Sequence, residues 1–265
     1  MKKKTLLQSS GFVTLCASLV CIVIGLLVGF LVLLLLGGEK AYSDGFKQIL
    51  LGGFYMMPSG IGKEIVTAVP LIMCGLSVAF AFKTGLFNIG AAGQYCIGVA
   101  LSLYAALAWG WSWLPCMLLA MLGGALLGAI SGLLKSYCNV NEVISCILLN
   151  WISLYTVNTL LSQVKDPTSP YTLNLKRTNA AAALPSLGLE KLFNNNANVT
   201  IAIPLAILCA IAIWVLLAKT RLGYELRATG LNRHAAKYCG MRGKFNIILA
   251  MAIAGALAGI GAGFM

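Results

Sequence analysis

The chain alternates long apolar runs with shorter polar segments. Seven runs are long enough for helices to cross a bilayer, which takes about 20 residues. They cover residues 12–36, 65–82, 94–109, 113–134, 143–161, 199–218 and 247–265. The pattern predicts an all-α fold, a polytopic transmembrane helix bundle with about seven spans in a single domain over residues 1–265. Glycines at four-residue spacing predict close helix packing; they are Gly124, Gly128 and Gly132, then Gly255, Gly259 and Gly263.

Composition and charge agree with this class and suggest an orientation. Hydrophobic residues make up 60% of the chain and charged residues 10%, which is atypical of a soluble domain. If the N-terminus lies inside, the inner side carries twelve Lys and Arg and two acids, and the outer side carries seven Lys and Arg and five acids. Basic residues collect in cytoplasmic loops, so we expect a multi-pass protein of the plasma membrane with a cytoplasmic N-terminus. The net charge of +12 then requires no nucleic-acid partner.

The first apolar run follows Lys2, Lys3 and Lys4. A signal peptide has a shorter apolar region and a small-residue cleavage site. The run at residues 12–36 is longer than that, so we expect an uncleaved first helix.

The polar block at residues 219–246 keeps a helical pattern between two apolar runs. It contains seven Lys and Arg but one acid. Asn232 suits a helix N-cap and Gly240 the position just after a helix end, which predicts a short helix from Arg233 to Cys239. Gly230 is expected to end the preceding helical stretch. This segment is predicted to dock a soluble partner; a loop that only binds anionic lipid headgroups is the alternative.

A second polar stretch interrupts the apolar sequence at residues 83–94. It combines three glycines with Asn88 and Gln94, and each glycine inside a helix costs roughly 1 kcal/mol relative to alanine. We expect a broken or re-entrant segment, which is tolerated only where its backbone lines a cavity or is buried in protein.

Few other side chains carry chemistry. An acid and several amides lie around the fifth run, although ordinary hydrogen bonds between helices are the alternative for each amide. They are Asn139, Asn141, Glu142, Asn150 and Asn158. The chain has one histidine and nine cysteines without metal-ligand spacing, so we expect no catalytic residue, no metal site and no bound cofactor. Acids deep within the spans, which ion coupling would need, are missing from the sequence.

Three stretches together resemble a known family. GLFNIGAAGQ at 85–94, NEVISCILLNWI at 141–152 and RATGLNRHAAKYCGM at 227–241 are similar to signature stretches of permease subunits of bacterial ABC importers. The nearest branch is that of the nucleoside and simple-sugar permeases, which is related to the ribose and branched-chain amino acid permeases. The resemblance covers nearly the whole chain.

The resemblance implies a transporter subunit rather than an enzyme. Its partners would be a cytoplasmic ABC ATPase that binds ATP, a second permease subunit, an extracytoplasmic substrate-binding protein and the lipid bilayer. Residues 219–246 would form the cytoplasmic coupling loop, and residues 162–198 an external loop. The implied coupling residues are Gly223, Arg227, Gly230, Asn232, Arg233, Ala235, Ala236, Lys237 and Gly240. The candidate path residues are Asn88, Gly90, Gly93, Gln94, Asn141, Glu142 and Asn150.

Some alternatives stay open at the level of sequence. The substrate is expected to be a nucleoside or related simple sugar, with branched-chain amino acids as an alternative. A secondary transporter is a further alternative. Because the chain stops inside an apolar Gly/Ala-rich run, whereas related permeases continue through further spans, we expect a truncated product.

Overall fold

The computed structural model describes residues 10–38, 40–52, 54, 57–168 and 171–264. Lys2, Lys3 and Lys4, counted toward the inner side, and Met265, the end of the seventh run, lie outside the described residues. Eleven α-helices occur within the described part. They are α1 (Ser10–Gly37), α2 (Lys47–Leu51), α3 (Ser59–Lys83), α4 (Ala91–Ala108), α5 (Trp113–Cys138), α6 (Glu142–Leu161), α7 (Leu175–Thr178), α8 (Ala202–Lys219), α9 (Arg221–Leu231), α10 (Arg233–Tyr238) and α11 (Gly243–Gly263).

Seven helices in the described part are long and apolar enough to cross a membrane. They are α1, α3, α4, α5, α6, α8 and α11. The predicted class and the predicted number of spans are therefore confirmed. The helices extend further than the apolar runs at several ends: α3 begins at Ser59 and α11 at Gly243. Hydropathy marks the lipid-embedded part, whereas the backbone hydrogen bonds of the helix continue into polar residues.

Contacts divide the chain into two units, one through Ile61 and one from Gly62 onward. The first unit contains α1, a π-helical turn at Ala41–Phe46 and α2. Within it, the rings of Phe30 and Phe46 pack with centroids 4.5 Å apart. The second unit contains the remaining membrane helices and both stretches singled out by sequence.

Glycines set the spacing between α5 and α11 in the second unit. A Cβ atom at Gly255 would overlap the carbonyl oxygen of Gly124, and one at Gly259 would overlap that of Ala120. The two backbones approach this closely because no side chain separates them. The predicted small-residue packing is confirmed for these helices, and α11 is the most deeply buried of the seven spans.

Candidate functional site

A non-helical segment at 84–90 separates α3 from α4 and folds back along α3. The backbone N–H of Leu86 donates to the carbonyl oxygen of Ala81 (2.9 Å). Asn88 then reaches Ser77 (3.0 Å), six residues and about 9 Å before the end of α3. The predicted interruption of the helix is confirmed.

Asn88 and Gln94 close this break with reciprocal hydrogen bonds. Asn88 Nδ2 donates to Gln94 Oε1 (2.8 Å), and Gln94 Nε2 donates to Asn88 Oδ1 (3.0 Å). Asn88 Nδ2 also donates to Ser77 Oγ, which donates to the carbonyl oxygen of Ala254 on α11 (2.6 Å). Both amides are fully buried. Since an unpaired buried polar group costs about 1–3 kcal/mol, this pairing stabilises the break inside the bundle.

Asn150 on α6 forms hydrogen bonds with the backbone around the start of α4. Its Oδ1 accepts from the backbone N–H of Gly93 (2.9 Å), and its Nδ2 donates to the carbonyl oxygen of Ile89 (3.2 Å). The first turn of α4 has no side-chain cap of its own, so Asn150 satisfies one of its free N–H groups. A Cβ at Gly93 would lie only 2.6 Å from Asn150 Oδ1, so a residue larger than glycine would overlap the hydrogen-bonding amide.

The structure brings together five of the seven predicted path residues. They are Asn88, Gly90, Gly93, Gln94 and Asn150. The other two lie at the start of α6, about 12 Å along the helix from Asn150. Asn141 caps α6, its Oδ1 accepting from the N–H of Val143 (2.8 Å), and Glu142 pairs with Lys135.

Asn232 joins α9 to α10 and caps the second helix. Its Oδ1 accepts from the backbone N–H groups of His234 and Ala235, both at 3.0 Å. Gly240 has φ +77°, a left-handed conformation that favours glycine after a helix. The predicted short capped helix is confirmed as Arg233–Tyr238. Of its two alanines, Ala236 is buried and Ala235 is exposed.

Two glycines of α9 permit close backbone contact. The prediction that Gly230 ends the preceding helix is wrong, because α9 continues to Leu231. A Cβ at Gly230 would overlap the carbonyl oxygen of Thr84 and lie 2.8 Å from the N atom of Gly85. Gly223 similarly lies against the backbone of α8. The α9 helix therefore rests on the turn that opens the break between α3 and α4.

Charged and apolar side chains are exposed on α10 and on the end of α9 that precedes it. Arg227 and Lys237 are exposed, and the side chain of Arg233 lies beside Gly243. Among the described residues, none of these three cations forms a salt bridge. Sequence reasoning missed the two most exposed large hydrophobic side chains here, Leu231 at 89% and Tyr238 at 93%. The sequence did offer a signal for an exposed apolar surface, because the leucine and the tyrosine stand at the two ends of a capped helix within a cationic block.

Two polar contacts missed at the level of sequence tie these elements together. Asn246 on α11 donates from Nδ2 to Thr229 Oγ1 on α9 (2.9 Å). Ser77 joins α3 to α11 as described above. The Ser77 contact joins residues 177 positions apart in sequence, whereas Thr229 and Asn246 are 17 positions apart with α10 between them. Isolated polar residues on the apolar helices α3 and α11 were the only sign of these contacts.

The segment at 162–198 folds back onto the ends of α4 and α5. Asn179 Nδ2 donates to the carbonyl oxygens of Ala106 (2.9 Å) and Trp111 (2.8 Å). Near its start, the side chain and the N–H of Thr168 donate to Asp166, which lowers the pKa of that carboxyl group from its ordinary value. The segment also presents exposed large side chains; they are Tyr171, Leu187 and Leu192.

Comparison with known proteins identifies relatives over most of the sequence. The family model for the permease component of branched-chain amino acid transport systems matches residues 60–265. The guanosine ABC transporter permease protein NupP of Bacillus subtilis is 36% identical over 246 residues, covering 91% of this chain and 69% of that protein. The nucleoside ABC transporter permease protein NupB of Lactococcus lactis is 33% identical over 261 residues, covering 92% and 68%.

A third relative has a different named substrate. The glucose ABC transporter permease protein of Haloferax volcanii is 32% identical over 232 residues, covering 83% of this chain and 59% of that protein. No solved structure matches the chain. Because the family model covers most of the sequence and these relatives exceed 30% identity, this multi-pass membrane protein belongs to the family of permease components of branched-chain amino acid transport systems.

Proposed function

We propose that this chain is the membrane-spanning permease subunit of an ATP-driven ABC importer for nucleosides or related simple sugars. Family membership supports the permease role. The substrate class draws on the relatives whose names state guanosine, nucleosides and glucose. The chain supplies movement rather than chemistry, and a separate ATPase binds and hydrolyses ATP.

The contact of α9 with the break between α3 and α4 is the observation that carries this proposal. An importer passes the movement of its ATPase to a path inside the membrane, which requires a mechanical connection between two sites. Gly230 rests on Thr84 and Gly85, and the Asn88–Gln94 pair follows within a few residues. A displacement of α9 and α10 would therefore act directly on the break.

The ATPase docks on α10 in this proposal. Tyr238 and Leu231 provide apolar anchors, and aromatic residues commonly dominate binding energy at interfaces. Arg227 and Lys237 lie beside them as exposed cations, which would attract an acidic groove and orient the partner. In this assignment the α10 side is cytoplasmic, and because six spans lie between the N-terminus and α10, the N-terminus is on that same side.

Two further partners complete the importer. A second permease subunit closes the path within the bilayer, and a substrate-binding protein delivers the ligand at the outer face. The exposed side chains of the 162–198 segment are the proposed contact for that protein. Asn179 supports this role, because its two hydrogen bonds fix the segment to the membrane helices.

ATP-dependent uptake of radiolabelled guanosine tests the proposal. The chain is reconstituted in proteoliposomes with its ATPase and binding protein, and unlabelled nucleosides, ribose and L-leucine compete in parallel. We expect competition by nucleosides. Competition by L-leucine alone would instead support the branched-chain amino acid function that the family description names. Uptake driven by an ion gradient without ATP would contradict an ABC importer.

A further inference from the structure

Trp151 and Tyr155 lie at the centre of a transmembrane helix. The span that contains α6 covers Glu142–Val164, so each residue is two positions, or about 3 Å along the axis, from its middle. Tryptophan and tyrosine are enriched where the bilayer meets water. Their central position therefore needs an explanation other than anchoring at the headgroups.

The two rings stack on the face of α6 that points away from the bundle. Their centroids are 6.3 Å apart with an interplanar angle of 26°, and the exposed fractions are 56% for Trp151 and 65% for Tyr155. Cys146 and Ser153, on the opposite side of α6, are buried. Asn158 follows Tyr155 by three residues on the outward face and is also exposed. Positions i, i+4 and i+7 form one stripe along a helix.

The stripe also carries two polar groups, the Tyr155 hydroxyl and the Asn158 side-chain amide. Among the residues that the structure describes, nothing forms a hydrogen bond with the Tyr155 hydroxyl or the Asn158 side-chain amide. Side chains on a helix lean toward its N-terminus, so both groups point toward the middle of the span. An unpartnered hydroxyl or amide is costly in hydrocarbon. This face is therefore better suited to water or a polar ligand than to lipid tails.

We infer that Trp151, Tyr155 and Asn158 line the translocation path and that the two rings form a stacking platform for the base of a nucleoside. A flat ring system stacks well on an aromatic face, and a small aliphatic side chain makes less use of it. The Tyr155 hydroxyl and the Asn158 amide are placed to meet polar groups of the passing ligand. The inference rests on the proposed function and specifies where the substrate touches this chain.

Substitution of Trp151 tests the platform in the reconstituted importer. Trp151→Leu removes the ring, whereas Trp151→Phe retains an aromatic face. We expect Trp151→Leu to lower guanosine uptake by about 5- to 150-fold, the effect of losing one stacking contact. Trp151→Phe should retain most of the wild-type guanosine uptake. Uridine uptake should fall less, because the smaller base stacks less. A folding defect would reduce both nucleosides equally.

Trp214→Leu is the matched control, since Trp214 on α8 is 59% exposed and borders an apolar groove. Equal effects of the two leucine variants, or an unchanged guanosine-to-uridine ratio in Trp151→Leu, would overturn the platform. If the wild-type importer takes up guanosine while Trp151→Leu is unaffected, only this inference fails. If the wild type takes up no nucleoside, the proposed function itself fails.

Thiol labelling separates a path from a lipid-facing or subunit-facing surface. Tyr155→Cys should react with a charged, membrane-impermeant maleimide above the background of the parent chain, and guanosine should slow the reaction. Leu208→Cys, an exposed mid-helix position on α8, should stay unlabelled. Labelling of Tyr155→Cys no faster than of Leu208→Cys would overturn the inference.

Discussion

Gly230 of α9 lies backbone to backbone against Gly85 in the turn that follows α3. A Cβ at Gly85 would lie 2.6 Å from both Cα and the carbonyl oxygen of Gly230. Gly85 also has φ +72°, so glycine is required there for conformation as well as for space. The pair connects helices α9 and α10 to the break between α3 and α4 without an intervening side chain. Because backbone touches backbone, α9 can move little without displacing the break.

Gly230→Ala should weaken this connection. Alanine favours a helix by about 1 kcal/mol over glycine, so any loss must come from the contact. The new methyl group would overlap backbone atoms of Thr84, and overpacking of this kind costs about 1–3 kcal/mol. We expect guanosine uptake and substrate-stimulated ATPase activity to fall about tenfold or more, with unchanged insertion into the membrane.

Gly75→Ala is the matched control for that experiment. Gly75 is also a helical glycine, on α3, but a Cβ there would meet nothing within 4 Å. Its uptake should equal that of the wild type. If Gly230→Ala also transports normally, the α9 contact does not carry the movement.

Asn88→Leu should destabilise the protein and not only slow transport. It leaves the buried Gln94 amide without its partner, at a cost of about 1–3 kcal/mol. We expect a lower thermal unfolding midpoint in detergent, and partial recovery in the Asn88→Leu/Gln94→Leu double variant, where both polar partners are removed. Asn158→Leu, at an exposed amide, should leave the midpoint unchanged. Normal stability of Asn88→Leu with reduced uptake would instead favour direct contact of Asn88 with substrate.

Charge reversal beside α10 should disrupt the association with the ATPase. Arg227→Glu combined with Lys237→Glu replaces two exposed cations that form no salt bridge among the described residues. Loss of such complementary charge mainly slows association and makes it less sensitive to salt. We expect much weaker co-purification of the ATPase, with normal amounts of permease in the membrane. Arg177→Glu, in the 162–198 segment, should not affect co-purification.

Contacts near in sequence were predictable, whereas contacts between distant helices were not. Asn232 and Gly240 were assigned correctly because a cap depends on a few neighbouring backbone groups. The glycines of α5 and α11 were recognised from their spacing, although the spacing did not show that they pack on each other. The partners of Gly230, Thr84 and Gly85, lie 146 and 145 positions earlier in the chain. The sequence alone therefore suggested only a local role for that glycine, as the end of a helix, and that interpretation was wrong. Ser77 was missed for the same reason, since Asn88 and Ala254 become its neighbours only after folding.

Asn232 offers a graded test of whether α10 must be a rigid helix to dock. Its side chain satisfies two N–H groups at the start of α10, and replacing such a cap with alanine costs about 1 kcal/mol, whereas glycine costs a few tenths. If the ATPase recognises α10 as a preformed helix, association measured by co-purification or biolayer interferometry should weaken about fivefold in Asn232→Ala and little in Asn232→Gly. Equal weakening in both variants would mean that the ATPase contacts the Asn232 side chain directly. Unchanged association in both would show that docking does not depend on the cap.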